Sequence, residues 1–100
     1  MSQLRDDLIA AKALIADEKD WTQHPKSMAP MCAYAAVLVA IDGRNVSRIS
    51  DRVMETQHFL ARFLPEPFAN DRHVIAFNDA PGTTHRDIMA LFDRAIEAAS

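Results

Sequence analysis

Residue types able to do chemistry are concentrated in one polar stretch, "FNDAPGTTH" at positions 77–85, between two apolar runs. The stretch offers an amide, a carboxylate, two hydroxyls and an imidazole within nine residues. Histidine and carboxylate side chains are common proton donors and acceptors in enzymes. The candidates for a ligand-binding or catalytic loop are therefore Asn78, Asp79, Thr84 and His85.

The same stretch is also typical of a turn that leads into a helix. Its Pro-Gly pair fits the centre of a tight turn over 80–83, because proline presets the first central angle and glycine allows a positive φ at the second. Thr84 fits a helix cap, and Asp87 follows three residues later as in a capping box. The two side chains before the turn are expected to bond the turn's own amides. Asp79 and His85 are left as the residues that a helix start does not require.

Cys32 is the only cysteine, so it cannot form an internal disulfide. It lies near the start of a predicted helix, where a thiol can act as a nucleophile if a histidine is within hydrogen-bond reach. The partners to consider are His24 and His85. The neighbouring residues 31–35 are of packing type, which favours a buried apolar thiol. If a pocket forms, Trp21 and Cys32 are expected to line it.

The sequence predicts no metal site and no cofactor. Zinc ligands usually occur two to four residues apart on a turn, and the nearest approach to this spacing is Asp71 with His73. A glycine-rich phosphate loop, a nucleophile elbow and a His-Glu-x-x-His helix are all missing from the sequence. The scattered nitrogen and sulfur side chains are His24, Cys32, His58, His73 and His85.

A second group of residues predicts a docking face on the third helical segment. Arginine and exposed aromatic residues are enriched at interface centres, and guanidinium groups bind carboxylates in pairs. Glu55 interrupts the run of arginines, and the alternative is a solvated face that keeps the protein soluble. The residues of the proposed face are Arg44, Arg48, Arg52, Phe59 and Arg62.

Composition limits the functions that remain. The chain has 100 residues, of which 49% are apolar and only two are glycine, with a net charge of −3. Such a length provides one modest core, so a single helical domain over 1–100 is expected. The acidic balance disfavours nucleic acid and anionic membrane surfaces as partners. The longest apolar run, 28–41, is shorter than the roughly 20 residues of a membrane span.

The amino-terminal segment alternates acidic with apolar residues. It lacks the basic start and the continuous apolar core of a secretion signal. Together with the single cysteine, this predicts a reducing, cytoplasmic location.

Hydrophobic periodicity predicts a mainly α fold, a compact bundle of about four helices around an apolar central helix. Val37–Ile41 could instead be a buried strand, and Val74–Phe77 either a short extended segment or one turn of helix. Four apolar residues lie off the main stripes, which leaves a homodimer open. These four are Ile9, Leu14, Met54 and Phe68. The predicted helical segments are 2–16, 30–43, 47–64 and 84–99.

The ends and faces of these segments are predicted from short patterns. Ser2 fits the cap of the first segment, with Asp6 and Asp7 at the positive end of its dipole. Pro30 fits the first turn of the second segment, and Gly43 can close it with a positive φ. One face of the third segment carries Ile49, Val53, Thr56, Leu60 and Phe63. The inward residues of the fourth are Ile88, Leu91, Phe92, Ala95 and Ala99.

The stretch "FNDAPGTTHRDIMALFDRAI" at 77–96 resembles the carboxy-terminal signature of a family of small uncharacterised bacterial and phage proteins, a domain of unknown function. In that family a tryptophan follows the first helix, as Trp21 does here, and a cysteine opens an alanine-rich helix, as Cys32 does in "CAYAA". The family usually has a glycine where this chain has Ala35, and the link from Trp21 to Cys32 is shorter. The resemblance implies a small cytoplasmic protein, sometimes encoded on mobile elements, and supplies no reaction.

Two functional hypotheses follow. The first is a noncatalytic protein-interaction module, an inhibitor or adaptor in host defence or phage conflict, that binds an unidentified protein. The second is a small enzyme or ligand-binding domain centred on the loop from Asn78 to His85, in which Asp79, His85 and Cys32 are the catalytic candidates.

Overall fold

A computed structural model describes residues 2–23, 30–43, 50–66, 68 and 73–99. Within these ranges the chain is helical, and its one pairing of extended backbone is a bridge between Trp21 and Met31. The predicted mainly α fold is confirmed. A short 3-10 turn, Glu18–Asp20, follows the first helix. The α-helices are α1 Gln3–Leu14, α2 Ala33–Asp42, α3 Asp51–Ala61, α4 Val74–Asp79 and α5 His85–Ala98.

Helix α1 begins as the sequence predicts. The side chain of Ser2 accepts a hydrogen bond from the Arg5 amide at 3.0 Å, which satisfies one of the free amides of the first turn. Three apolar residues at helical spacing, Leu8, Ala11 and Ile15, are completely buried. This stripe fixes which face of α1 meets the rest of the bundle.

Helix α2 begins later than the sequence predicts. Met31 is held in an extended pairing with Trp21, so Pro30 does not form the first turn. Cys32 takes the cap position, and its Sγ accepts from the Ala35 amide at 3.4 Å. The helix ends at Gly43, whose φ of 82° is the positive value that glycine adopts freely. Val37 to Ile41 is helical rather than a strand, and α2 packs against α1, α3 and α4.

Helix α3 also begins later than predicted, at Asp51 instead of Ser47. Ser50 is its cap, and its hydroxyl accepts from the Val53 amide at 3.2 Å. Val53, Thr56 and Leu60 are buried as predicted, whereas Ile49 lies outside the described residues.

The segment Val74–Phe77 belongs to helix α4, so its extended alternative is wrong. Helical spacing places Val74, Phe77 and Asn78 together on the buried side. In a strand, Phe77 would face away from the other two. His73 caps this helix, because its Nδ1 accepts from the Ala76 amide at 3.1 Å.

Helix α5 follows the predicted turn and cap. The Thr84 hydroxyl accepts from the Asp87 amide at 3.2 Å, and the Asp87 carboxylate accepts from the Thr84 amide at 3.0 Å. This reciprocal pair is a capping box. All five predicted inward residues are buried: Ile88, Leu91, Phe92, Ala95 and Ala99.

Of the residues predicted to lie off the main stripes, two remain largely exposed. Ile9 is 41% exposed and Met54 47%. Leu14 and Phe68 instead pack against the core. Ile75, on α4, is 39% exposed and was not singled out by the sequence. Among the described helices, none has the length and apolar character required to span a bilayer.

Candidate functional site

Asn78 joins three separate segments of the chain from a completely buried position. Its Oδ1 accepts from the Trp21 indole Nε1 at 2.7 Å and from the Ala33 amide at 3.0 Å. Its Nδ2 donates to the Thr22 carbonyl at 3.1 Å and to the Asp79 carboxylate at 3.0 Å. The expectation that Asn78 bonds the amides of its own turn is therefore wrong, because its partners lie up to 57 residues away.

The turn after Asn78 is held by the same neighbouring segment. Within the turn, the Thr83 amide donates to the Ala80 carbonyl at 3.1 Å, and Gly82 has the positive φ of 92° that the sequence predicts. From outside, Gln23 Nε2 donates to the Ala80 carbonyl at 2.8 Å and to the Thr83 carbonyl at 3.3 Å. The turn is thus docked onto residues 21–23.

His85 connects the loop to the end of the first helix. Its Nε2 lies 2.7 Å from the Ile15 carbonyl oxygen, so this nitrogen carries the hydrogen and donates it. The ring also lies beside Trp21, with a centroid separation of 5.9 Å and a tilt of 52°. Both contacts place His85 in a structural role.

We expect His85→Ala to lower the free energy of unfolding by about 1 to 2 kcal/mol, because the Ile15 carbonyl loses its donor. His85→Gln is the matched control, since its amide nitrogen can occupy the position of Nε2 and should retain most of the stability. Urea denaturation of the three proteins measures this. Equal stability of the alanine and glutamine variants would contradict the structural role.

The structure brings Trp21, Asn78, Asp79 and His85 together. Cys32, whose neighbour Ala33 bonds to Asn78, is buried and occupies the cap of α2. The indole Nε1 of Trp21, the Nδ2 of Asn78 and the Nε2 of His85 all donate to other groups of the chain. The stretch therefore serves as a joint between α4, α5 and residues 21–23.

The predicted arginine face is divided by the tertiary structure. Arg52 makes a bidentate pair with Asp7 on α1, with Nε to Oδ2 at 2.8 Å and Nη2 to Oδ1 at 2.5 Å. Gln3 Nε2 adds a third donor to Asp7 at 2.9 Å. Because its guanidinium group is bound to Asp7, Arg52 links α1 and α3 in this structure.

The other members of the face differ in environment. Arg62 is exposed and lies over the ring of Phe59, with its guanidinium carbon 5.3 Å from the ring centroid. Phe59 also meets Phe63 edge to face at 5.3 Å. Arg44 and Arg48 lie outside the described residues. Arg52 and Arg62 are thus both exposed, the first bound to Asp7 and the second held on the ring of Phe59.

The Asp7–Arg52 pair shifts the pKa of both of its members. Asp7 is only 4% exposed. Hydrogen bonding from Arg52 lowers the pKa of Asp7 against the opposing effect of burial, and the bond to Asp7 raises the pKa of Arg52. The sequence predicts only that Asp7 lies near the positive end of the α1 dipole. It does not indicate that Arg52, 45 residues away, is its partner.

The sequence did not indicate a cleft that lies between α3 and α4. Its volume is 220 Å³, and we call it the α3–α4 cleft. Two of its lining residues, Met54 and Ile75, are the exposed apolar residues described above. A pattern of exposed apolar positions on both helices could have suggested it only if the pairing of the helices had been known. The lining residues are Tyr34, Met54, Gln57, His58, His73, Val74 and Ile75.

Gln57 is the polar residue buried in the wall of the α3–α4 cleft. It is 7% exposed, and its Nε2 donates to the Tyr34 carbonyl at 3.0 Å. Its Oε1 is buried and has no hydrogen-bond partner among the described residues. Since the bond to a carbonyl fixes which end of the amide is nitrogen, the unpaired atom is an acceptor. A buried acceptor without a donor is uncommon in folded proteins.

The sequence profile of a family of unknown function, DUF6197, matches residues 1–98. The chain belongs to this family. The match covers the five helices named above, the loop around Asn78 and the α3–α4 cleft. No curated protein and no solved structure shows significant similarity to the chain. Membership in DUF6197 thus agrees with the resemblance to an uncharacterised family.

In this DUF6197 member the described histidines lie in two different places. Among the described residues, no three His, Cys, Asp or Glu side chains are grouped so that they could hold a metal ion. His58 and His73 share the α3–α4 cleft, whereas His85 lies in the loop. His24 and Asp71 lie outside the described residues.

Proposed function

We propose that this DUF6197 protein is a noncatalytic protein-interaction module that binds a partner protein through the α3–α4 cleft. The observation that carries the proposal is the pair of exposed apolar side chains on the two helices that form the cleft. Met54 is 47% and Ile75 39% exposed. Apolar surface that the fold leaves in water is commonly covered by a partner.

The size of the cleft supports a protein partner. Sites for small molecules and cofactors usually enclose about 300 to 1,000 Å³, and this cleft has 220 Å³. Such a volume suits one or two side chains of a partner better than a whole cofactor. Side chains that fill a central pocket commonly provide most of the affinity of an interface.

The alternative, an enzyme or ligand-binding site at the loop from Asn78 to His85, has weaker support. Asn78 and His85 use their polar atoms to hold other segments of the chain, and Thr84 caps a helix. A catalytic base needs a lone pair or proton directed at a substrate. Internal bonding of these groups favours the interaction module.

The resemblance to bacterial and phage proteins suggests the setting. A cytoplasmic adaptor or inhibitor in host defence or phage conflict would require a small, stable domain with one recognition surface. Arg62 on Phe59 offers a further contact of the kind found at interfaces. A second copy of the chain is the competing partner, and the oligomeric state distinguishes it.

We expect Ile75→Lys to abolish capture of the partner from native cell extract, since it places a charge on the apolar rim of the cleft. Ile9→Lys is the matched control, because Ile9 is comparably exposed, at 41% against 39%, and lies on α1. Captured proteins are identified by mass spectrometry with and without phage infection, and the purified partner is then titrated by calorimetry. Equal binding by both variants would contradict the proposal.

The oligomeric state is measured on the same three proteins by light scattering. A dimer that Ile75→Lys dissociates and Ile9→Lys does not would mean that a second copy occupies the cleft. A monomer leaves the cleft available to a different protein.

A further inference from the structure

We propose that the occupant of the α3–α4 cleft is an aromatic side chain with a ring hydrogen-bond donor, tryptophan or tyrosine, which donates to Oε1 of Gln57. The proposal rests on the proposed function and specifies what the partner must present. It follows from the buried acceptor and the apolar rim, taken together.

The acceptor defines the polar half of the occupant. Oε1 of Gln57 is buried and lacks a donor within the described part of the chain, while Nε2 of the same amide donates to the Tyr34 carbonyl. Only an N–H or O–H group can satisfy this oxygen. Gln57 lines the cleft, and because the terminal torsion of glutamine is soft, Oε1 can turn to meet a donor that enters it.

The cleft rim defines the apolar half. Met54 and Ile75 present a thioether and a branched aliphatic chain from opposite helices. Methionine sulfur makes favourable contacts with aromatic rings. An aliphatic side chain would fill the space and leave Oε1 unpaired, whereas a lysine or arginine would bring a charge against apolar walls.

An aromatic donor satisfies both requirements. Tryptophan and tyrosine combine a large apolar ring with one polar atom that usually finds a partner when buried. A single ring is also consistent with a volume of 220 Å³. These two residue types are enriched among the side chains that dominate binding energy at interfaces.

The test uses two pairs of probes, indole with N-methylindole and phenol with methoxybenzene. In each pair methylation removes the donor and retains the ring. We titrate them into the full chain labelled with ¹⁵N and follow the amide signals, including the side-chain amide of Gln57. We expect perturbations at the cleft residues and, in at least one pair, about tenfold tighter binding of the donor, the effect of about one hydrogen bond.

The variant Gln57→Leu removes the acceptor. It should lose the preference for the donor probe and bind the two members of a pair alike, and its amide spectrum checks that the variant is folded. Ile75→Lys should weaken both members of a pair. The proposal is overturned if donor and methylated probes bind equally to the unmodified protein, or if the perturbations lie away from the cleft.

The two proposals fail in different ways. If a partner is captured in a manner that depends on Ile75 but the probes show no donor preference, the interaction module stands and the aromatic donor is wrong. If the donor preference is present and no protein depends on Ile75, the cleft is a site for small aromatic molecules and the interaction module is wrong.

Discussion

Asn78→Leu is expected to lower the free energy of unfolding by about 3 to 5 kcal/mol, because several buried polar groups lose their partners at once. Leucine retains the size of the side chain and removes both polar atoms. The Trp21 indole and the Ala33 amide then lose their acceptor, and the Thr22 carbonyl loses its donor. Each buried polar group left without a partner costs about 1 to 3 kcal/mol. The loss would be a large fraction of a typical stability of about 5 to 15 kcal/mol.

Urea denaturation measures this loss, and fluorescence reports its location. Trp21 is the only tryptophan in the chain, so its emission reports the surroundings of the indole that bonds to Asn78. We expect the emission of folded Asn78→Leu to shift as the indole Nε1 loses its acceptor. A variant with unchanged emission that is destabilised by less than about 1 kcal/mol would show that Asn78 is not the organising residue.

A double-mutant cycle tests the bond between Asn78 and Trp21 directly. Trp21→Phe removes the indole donor and should destabilise the unmodified protein. In the Asn78→Leu background the same change should cost less, because the bond is already lost. Strict additivity of the two changes would contradict a direct interaction between them.

Arg52→Met should lower the free energy of unfolding by about 1 to 3 kcal/mol at neutral pH, because it leaves the buried Asp7 carboxylate without its bidentate partner. The loss is modest because the Arg52 side chain is 49% exposed and water screens the pair. Arg62→Met is the matched control. It removes an exposed arginine next to Phe59 and should cost no more than about 1 kcal/mol.

The pH dependence distinguishes the Asp7–Arg52 pair from a general packing effect. Because the pKa of Asp7 is lowered in the folded protein, the unfolded chain binds a proton more readily than the folded chain does. Stability from this pair is therefore fully present above the unfolded pKa, about 4, and is lost as the pH falls through the lowered folded pKa. The cost of Arg52→Met should shrink as the pH is lowered through that interval. A cost that is the same at neutral and acidic pH would contradict the electrostatic account, and the Arg62→Met cost should show no such dependence.

The local elements of this fold were predictable because their signals lie within a few residues of one another. The inward stripe of α5 from Ile88 to Ala99 and the caps at Ser2 and Thr84 are short-range patterns, and the structure has them where the sequence predicts. Gly43 ends α2 for the same reason. The start of α2 was misplaced because the extended pairing of Met31 with Trp21 is set by a segment outside the helix.

By itself, then, the sequence determined the helical class, the caps and the turn at 80–83. The tertiary structure decided the partners of the polar residues. Asn78 was assigned to its own turn and instead joins residues 21–22 and Ala33, and Asp7 was assigned to a helix dipole and instead binds Arg52. The α3–α4 cleft likewise exists only once the two helices are placed side by side. Periodicity and capping depend on neighbours along the chain, whereas these contacts depend on how the buried faces pack, which no short window of sequence contains.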